Sequence, residues 1–245
     1  MVAAANPLAA DAGQRILQAG GSAIDAAITT QLVLGLVEPQ SSGIGGGAFI
    51  LHWQADNQAL TTFDGRETAP AAAGPYLFAD NGKVMSWREA YVGGKSVGVP
   101  GVVAMLSQAH QQYGKLPWAE LFSDTITAAE QGFNVSSRTA RQLAMGWNKG
   151  VSQFYESKQY FFPAGKPVAE GTVLKNPAYA ATLKVIADKG AAAFYRGELA
   201  KAISERVQTA PVNPGSLTVA DMAAYQAVQR DALCMPYRSY NVCGM

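Results

Sequence analysis

A long apolar helix near the start of the chain constrains the fold more than any other feature of the sequence. Ser22 and Asp25 have the spacing of a capping box, in which each side chain bonds the backbone amide of the other. From Ala23 to Val37 the helix is apolar on nearly every side, and Pro39 ends it. A helix without a polar face must be covered on both sides, so we expect the chain to pack around it.

The segment after this helix predicts a turn and a β-hairpin. Residues 41–47 are rich in glycine and serine, and the apolar run 48–53 that follows predicts an inner strand. The dipeptide at 56–57 is Asp-Asn, which predicts the hairpin turn, and residues 59–64 form the second arm. The sequence therefore predicts a hairpin whose first arm is an inner strand.

The glycines of this turn also fit a nucleotide-binding fingerprint. Residues 43–48 match G-x-G-x-x-A, and an acid, Glu67, follows about twenty residues later. That fingerprint needs a strand before it and a helix after it, and the predicted order here is the reverse. We therefore interpret the glycines as positions of positive φ or of close backbone approach.

Apolar spacing and start and stop signals indicate the remaining elements. Predicted helices span residues 6–20, 98–113, 116–132, 136–147, 176–189, 197–208 and 218–225, and predicted strands that return to the sheet span 226–233 and 239–242. Residues 148–172 have weak periodicity and two prolines, which predicts a long surface segment. Helices on either side of a sheet in sequence indicate layered α/β packing in one unit, because no repeat or linker divides the chain.

Composition indicates a globular chain with balanced charge. Hydrophobic residues make up 49% and charged residues 15% of the 245 residues, enough to bury a substantial core. The 19 basic and 18 acidic residues nearly cancel, which argues against a nucleic-acid partner or an anionic membrane. The longest uncharged apolar run, 26–37, is too short to span a bilayer. No signal-peptide pattern opens the chain, so we expect either a cytoplasmic protein or a start downstream of an export signal.

Cysteine and histidine are too sparse to predict a metal or redox site. Cys234 and Cys243 are too far apart for a Cys-x-x-Cys motif. We interpret them as two ordinary thiols, with a disulfide as the alternative if the intervening turn folds the chain back. His52 and His110 have no neighbours at metal-ligand spacing and are interpreted as core or surface residues.

Residues 63–70, FDGRETAP, contain the candidate binding residue. Arg66 follows the second hairpin arm, where a guanidinium can hold a ligand carboxylate through two parallel hydrogen bonds. Asp64 and Glu67 are candidate neighbours that orient it, and we favour Asp64 because side chains two apart on a strand share a face. The alternative is a surface ion pair of little energetic value. From the residues alone both interpretations of Arg66 stay open, with Arg66 as the candidate substrate-binding residue, and no residue is predicted to be catalytic.

Several ordered motifs resemble the large subunit of γ-glutamyltranspeptidases, also called glutathione hydrolases. They are AGGSAIDAA at 19–27, GIGGG at 43–47, RETAP at 66–70, GVPG at 98–101 and YRSY at 237–240. The resemblance implies the four-layer αββα sandwich of N-terminal nucleophile hydrolases, of which this helix-rich α/β (α+β) chain would supply part. It also implies that Arg66 holds the α-carboxylate of glutathione or another γ-glutamyl compound, without a metal or organic cofactor. Many relatives are exported, which favours a periplasmic or extracellular location.

The family mechanism uses a threonine that becomes the N-terminus of a small subunit after self-cleavage. Such a nucleophile needs Thr, Ser or Cys with a free α-amine, and Met1 has neither part. The internal threonine pairs at 29–30 and 61–62 are interpreted as structural. We therefore expect residues 1–245 to be a single incomplete domain that is inactive without the rest of the large subunit and the small subunit.

Two other functions stay open at this point. An acylase of the same superfold would act on cephalosporin or glutaryl compounds or on poly-γ-glutamate. A homologue that binds without catalysis is the second alternative. Arg66 favours a substrate with a free carboxylate in either enzyme, but it does not identify what lies beyond the scissile amide.

Overall fold

The computed structural model describes residues 1–80, 82–146 and 148–245, so Trp147, the last residue of one predicted helix, lies outside the described residues. The helices are α1 (Pro7–Gln18), α2 (Ala23–Val37), α3 (Trp87–Ala90), α4 (Val102–Tyr113), α5 (Ser123–Gln131), α6 (Ser137–Met145), α7 (Tyr155–Phe161), α8 (Pro177–Lys189), α9 (Ala192–Tyr195), α10 (Glu198–Gln208) and α11 (Val219–Ala224). The strands are β1 (Ala48–Gln54), β2 (Ala59–Gly65), β3 (Ala79–Asp80), β4 (Lys83–Val84), β5 (Phe133–Asn134), β6 (Val173–Leu174), β7 (Val228–Arg230), β8 (Leu233–Tyr237) and β9 (Tyr240–Gly244).

The apolar helix α2 forms as predicted and is enclosed by other helices. The Ser22 hydroxyl accepts a hydrogen bond from the Asp25 amide at 3.1 Å, and the Asp25 carboxylate accepts one from the Ser22 amide at 2.8 Å, so the capping box is complete. Ile28 and Leu32 are among its buried side chains, and α1, α4 and α5 contact it. Each buried side chain of this size contributes roughly 1.5–3 kcal/mol, which makes α2 a major source of stability.

A three-stranded antiparallel sheet, in the order β1-β2-β7, packs against helix α4. The register pairs Ala48 with Gly65 and Ile50 with Phe63, and Phe63 is fully buried on the helix-facing side. Helix α4 contacts β2 there. A Cβ on Gly65 would lie 2.6 Å from Met105 Cβ, so only glycine permits this approach of strand and helix. The sheet and α4 thus share one core with α2.

On the opposite face of this sheet, which we call the outer sheet face, the side chains of β1 are apolar and exposed. Phe49, Leu51 and Trp53 alternate with the inward residues of β1 and are 47%, 45% and 57% exposed. Val228 of β7 shares this face, because it and Phe49 both pair with Asp64 in the register. Asp64 and Thr62 of β2 lie between these two strands on the same face, so the exposed apolar row is that of β1. An exposed apolar row of this kind is a candidate contact surface.

The two C-terminal strand predictions need correction. Residues 226–233 contribute only the short strand β7 to the sheet. Residues 239–242 do not return to the sheet, because β9 pairs with β8 in a separate hairpin. The cause is local: Arg238 has a φ of 55°, so the chain turns back at once and Tyr237 pairs with Tyr240.

This hairpin also corrects the interpretation of the cysteines. Cys234 and Cys243 are directly opposite in the register, with Cα atoms 4.1 Å apart, and they form a disulfide. The interpretation as two free thiols is therefore wrong. Their spacing left the pairing open because spacing alone does not reveal that the turn brings the two strands into register.

One predicted helix and one predicted surface segment also differ in detail from the structure. Residues 116–132 form a 3₁₀ turn, Trp118–Phe122, followed by α5, because Pro117 disfavours helical backbone at the residue before it. Residues 148–172, predicted as a surface segment, contain the short helix α7. Within the described ranges, no helix is both long enough and apolar enough to cross a bilayer.

Candidate functional site

The candidate site lies where β2 leaves the sheet. Just beyond Arg66, Thr68 forms a bridge with Val99, whose amide donates to the Thr68 carbonyl at 2.8 Å. This bridge ties the segment to the chain that enters α4. The Arg66 side chain is 66% exposed. The guanidinium of Arg66, the predicted binding residue, therefore lies at the surface, and the bridge holds the backbone beside it in place.

The glycine-rich turn lies beside this segment and closely against Glu67. A Cβ on Gly47 would lie 2.3 Å from Glu67 Oε2 and 2.9 Å from the Glu67 amide nitrogen, so the predicted close approach is confirmed at Gly47. The Gly46 carbonyl accepts hydrogen bonds from the amides of Gly101 and Val102, at 2.9 and 3.1 Å. Helix α2 enters the turn and β1 leaves it, the reverse of the order that dinucleotide binding needs.

The structure reverses the predicted order of the two acidic neighbours. Glu67, rather than Asp64, contacts the guanidinium of Arg66, with 3.5 Å between Glu67 Oε2 and Arg66 Nε. Asp64 instead accepts the Arg66 backbone amide at 2.9 Å and binds the Arg230 guanidinium at 2.7 Å. The prediction failed because β2 ends at Gly65, so the alternation of side chains along a strand does not extend to Arg66.

Hydrogen bonding lowers the pKa of Asp64 below its usual range. The bond from the Arg66 amide has the largest effect, followed by the bond from the Arg230 side chain. Both donors favour the ionised form of the carboxyl group. Asp64 is therefore a carboxylate at neutral pH, and it anchors the Arg66 backbone rather than the Arg66 side chain.

Two residues far along the chain complete the cluster, and sequence analysis missed both. Tyr225, at the end of α11, donates its hydroxyl to the Arg66 carbonyl at 2.8 Å. Arg230, on β7, pairs with Asp64. These contacts join residues 159 and 166 positions apart, so no local pattern could have indicated them. Burial, and then the charges of Asp64 and Glu67, raise the pKa of Tyr225 to about 12, so its hydroxyl stays protonated as a donor.

An open cleft of about 460 Å³ adjoins this cluster, and its walls are the glycine-rich turn, part of α2 and Glu67. A larger cavity of about 1230 Å³ lies around Trp87 and Lys149, and Asp64, Arg66 and Glu67 are not in its walls. We take the smaller cleft as the candidate site because Glu67 lines it. Across the described part of the chain, no group of three or more His, Cys, Asp or Glu could hold a metal ion. Arg66 and Asp64 are not in the walls of this cleft, but the Arg66 Nε lies 3.5 Å from Glu67 Oε2 beside it. A guanidinium and a carboxylate side by side can bind a ligand that carries both charges.

Comparison with known proteins identifies the family. The model of the γ-glutamyltranspeptidase family matches residues 9–245. The glutathione hydrolase proenzyme of Bacillus subtilis (strain 168) is 37% identical over 243 residues, which cover 99% of this chain and 40% of that protein. The crystal structure of Helicobacter pylori γ-glutamyltranspeptidase superposes with a TM-score of 0.93 at 32% identity, covering 100% of this chain and 69% of that one. Cephalosporin acylase from Bacillus halodurans gives a TM-score of 0.85 at 33% identity, covering 97% and 44%.

These matches also confirm the predicted fold class. The chain is a helix-rich mixture of helix and sheet that superposes over its whole length on a γ-glutamyltranspeptidase of the N-terminal nucleophile hydrolase type. It spans 40% of the length of the B. subtilis relative. Because the family model covers nearly every residue and the structural match is complete, the chain belongs to the γ-glutamyltranspeptidase family.

Proposed function

We propose that residues 1–245 are the N-terminal part of the large subunit of a γ-glutamyltransferase, or glutathione hydrolase. The complete enzyme would transfer the γ-glutamyl group of glutathione to water or to an amino acid, through an acyl-threonine intermediate. Glutathione hydrolase proenzymes among the relatives support this activity and a precursor that cleaves itself. Residues 1–245 would then be a single incomplete domain without activity of its own.

The exposed guanidinium of Arg66 is the observation that carries this proposal. Its side chain is 66% exposed, and Glu67 meets only its Nε, at 3.5 Å. Among the described residues no side chain bonds its two Nη groups, which are the pair that can grip a carboxylate. We propose that the Nη groups of Arg66 bind the α-carboxylate of the γ-glutamyl donor, while Glu67 orients the guanidinium from its Nε side.

The nucleophile is proposed to come from outside residues 1–245. The four threonines considered from the sequence, Thr29, Thr30, Thr61 and Thr62, are 1%, 8%, 9% and 0% exposed. Three of their hydroxyls are also hydrogen-bonded within the fold. Buried, bonded hydroxyls cannot reach a substrate, so a threonine in the remainder of the precursor would supply the attacking oxygen. This chemistry uses no metal or organic cofactor.

The outer sheet face supports a partner within the same precursor. Phe49, Leu51 and Trp53 are about half exposed, and β7 extends the same surface. A second sheet packed face to face would bury these side chains at a spacing of about 10 Å. We propose that the remaining part of the large subunit and the small subunit cover this surface in the complete enzyme.

The role of Arg66 is tested by comparing wild type and Arg66→Lys on two substrates, one with the α-carboxylate and one without it. The complete enzyme is assayed with a γ-glutamyl anilide and with 4-aminobutyryl anilide, which lacks only the α-carboxylate. Arg66→Lys is expected to raise KM for the γ-glutamyl anilide by more than about tenfold, because an ammonium cannot reproduce the two-pronged contact. KM for 4-aminobutyryl anilide is expected to change by less than about twofold.

Arg196→Lys is the matched control, because Arg196 is an exposed arginine between α9 and α10. It is expected to leave both KM values unchanged, and both variants are checked for cleavage into two subunits on a denaturing gel. A processed Arg66→Lys enzyme with unchanged KM for the γ-glutamyl anilide would contradict the proposed role.

The acylase is a second candidate, supported by the likeness to the Bacillus halodurans cephalosporin acylase. Glutaryl anilide lacks only the α-amine of γ-glutamyl anilide, so the ratio of kcat/KM for the two compounds separates the candidates. A higher kcat/KM for glutaryl anilide would favour the acylase. Binding of glutathione in a calorimetric titration, with no turnover of either anilide, would favour the binding homologue.

The proposed location is the periplasm or the extracellular space. The disulfide between Cys234 and Cys243 supports it, because disulfides persist in oxidising compartments. Thiol alkylation of protein from separated cell fractions tests this directly. Protein in the exported fraction should resist alkylation at both cysteines until it is reduced, and recovery of alkylated protein in the cytoplasmic fraction alone would contradict it.

A further inference from the structure

Tyr225 occupies an unusual position relative to the proposed binding residue. Its hydroxyl donates to the Arg66 carbonyl at 2.8 Å, while Asp64 accepts the Arg66 amide at 2.9 Å. Both polar groups of the Arg66 backbone are therefore held by side chains from outside that residue. Since the guanidinium hangs from this backbone on a flexible side chain, fixing the backbone fixes the point from which the side chain extends.

Tyr225 is itself held in place by the core. Its ring stacks on the ring of Tyr195, with centroids 5.7 Å apart and planes 10° from parallel. Tyr195 is 6% exposed, donates its hydroxyl to the Pro100 carbonyl at 2.9 Å and accepts the Ala104 amide at 3.0 Å. A buried, doubly bonded tyrosine thus supports the ring that reaches Arg66.

The fold also leaves space for the Tyr225 hydroxyl. A Cβ on Gly101 would lie 2.2 Å from this oxygen and 2.0 Å from the Gly65 carbonyl oxygen. Only glycine at the start of α4 allows the hydroxyl to enter. Because its pKa is raised to about 12, the hydroxyl remains a donor to the Arg66 carbonyl over the whole physiological range of pH.

We propose that Tyr225 is a positioning residue for substrate carboxylate binding, which acts by holding the backbone of Arg66 through a single hydrogen bond. The proposal rests on the proposed function, because it assumes that Arg66 meets the carboxylate. Tyr225 does not touch the substrate in this account. Its removal should weaken recognition of the carboxylate and leave the chemistry of the acyl transfer intact.

Tyr225→Phe in the complete enzyme tests the proposal, because it keeps the ring stacked on Tyr195 and removes only the hydroxyl. KM for the γ-glutamyl anilide is expected to rise about three- to tenfold, the range that corresponds to one hydrogen bond, while kcat changes less than about twofold. KM for 4-aminobutyryl anilide should not change. In the Arg66→Lys background, Tyr225→Phe should add less than about twofold to KM, because the contact that it positions is already lost.

Tyr113→Phe is the matched control. Tyr113 is also a half-buried tyrosine, and its hydroxyl lies 2.9 Å from Thr61 Oγ1, away from Arg66. It is expected to lower the unfolding temperature as much as Tyr225→Phe does, and to leave KM for both anilides unchanged. Thermal unfolding of all variants separates loss of stability from loss of recognition.

Three results would overturn the proposal. KM values of Tyr225→Phe that match the wild-type values would show that the hydrogen bond positions nothing, while the role of Arg66 would stand. An equal rise in KM for both anilides would show a general structural role. A wild-type enzyme with no preference between the two anilides would remove the role of Arg66, and the positioning role with it.

Discussion

The carboxylate of Glu67 lies directly against the backbone of Gly47, in the space that a Cβ would occupy. Gly47→Ala is therefore expected to displace Glu67 from Arg66 and to destabilise the protein by about 1–3 kcal/mol, because the new methyl group would lie 2.3 Å from Glu67 Oε2. Urea unfolding of the complete protein measures the change. Gly45→Ala is the control, since a Cβ there would meet nothing within 4 Å. Equal unfolding midpoints for the two variants would contradict the prediction.

Glu38 joins three separate segments and is 2% exposed. Its carboxylate accepts hydrogen bonds from Asn6 and Ser136, each at 2.8 Å, and from Gln40. Glu38→Ala should lower the free energy of unfolding by about 2–4 kcal/mol, because it removes the buried carboxylate that accepts all three of these hydrogen bonds. Thermal unfolding measures the loss.

Glu170→Ala removes an exposed glutamate and is the control for Glu38→Ala. It should change the free energy of unfolding by less than about 0.5 kcal/mol. A Glu38→Ala protein as stable as this control would show that the carboxylate is not needed to join α1, α2 and α6.

The lowered pKa of Asp64 predicts a specific dependence of stability on pH. A carboxyl group with a folded pKa below its ordinary value of 3.8 stabilises the fold above that value, and the stabilisation is lost as pH falls through the lower folded pKa. Asp64→Asn should therefore have a lower urea midpoint than the wild type at neutral pH. The difference between the two midpoints should shrink below about pH 4.

The control for this pH experiment is Asp56→Asn, in an exposed turn residue. Its urea midpoint should follow that of the wild type at every pH. A gap between wild type and Asp64→Asn that stays constant down to strongly acidic pH would contradict the assignment, because it would show that charge on Asp64 is not what stabilises the fold.

The disulfide is expected to stabilise the hairpin of β8 and β9 locally. Closing the loop between Cys234 and Cys243, which are nine positions apart, contributes about 2–3 kcal/mol by chain entropy. In the double variant Cys234→Ser and Cys243→Ser, hydrogen exchange of amides in this hairpin should become faster. Amides of β1 and β2 provide the internal control, and equal acceleration throughout the protein would contradict a local effect.

The parts of the fold that were predictable from the sequence are those with local signals. The capping residues Ser22 and Asp25 and the proline at 39 gave the limits of α2, and the Asp-Asn turn gave the hairpin of β1 and β2. The C-terminal strands lacked such a signal for their partners. Residues 239–242 have the pattern of a strand, but the pattern does not say whether the partner is nearby or in the main sheet.

The site shows the same limit. Arg66 was singled out by a cation at a strand end together with the RETAP motif at 66–70, and its role stays a prediction, whereas the order of its acidic neighbours was predicted wrongly. Tyr225 and Arg230 reach the site only through the folding of the whole chain. Whether Asp64 or Glu67 meets the guanidinium depends on where β2 ends, within a single residue, and sequence patterns do not resolve strand ends that finely.

The carbonyl of Gly46 bonds the amides of both Gly101 and Val102. Both amides lie at the beginning of α4 and have no acceptor within the helix. The positive end of the helix dipole at this position would otherwise attract an anion. The neutral Gly46 carbonyl thus occupies the position at this helix terminus where an anion could otherwise bind. The beginning of α4 therefore holds Gly46, which lines the cleft, and these two amides are not available to an anion. In the proposed function, carboxylate binding is left to the permanently charged side chain of Arg66.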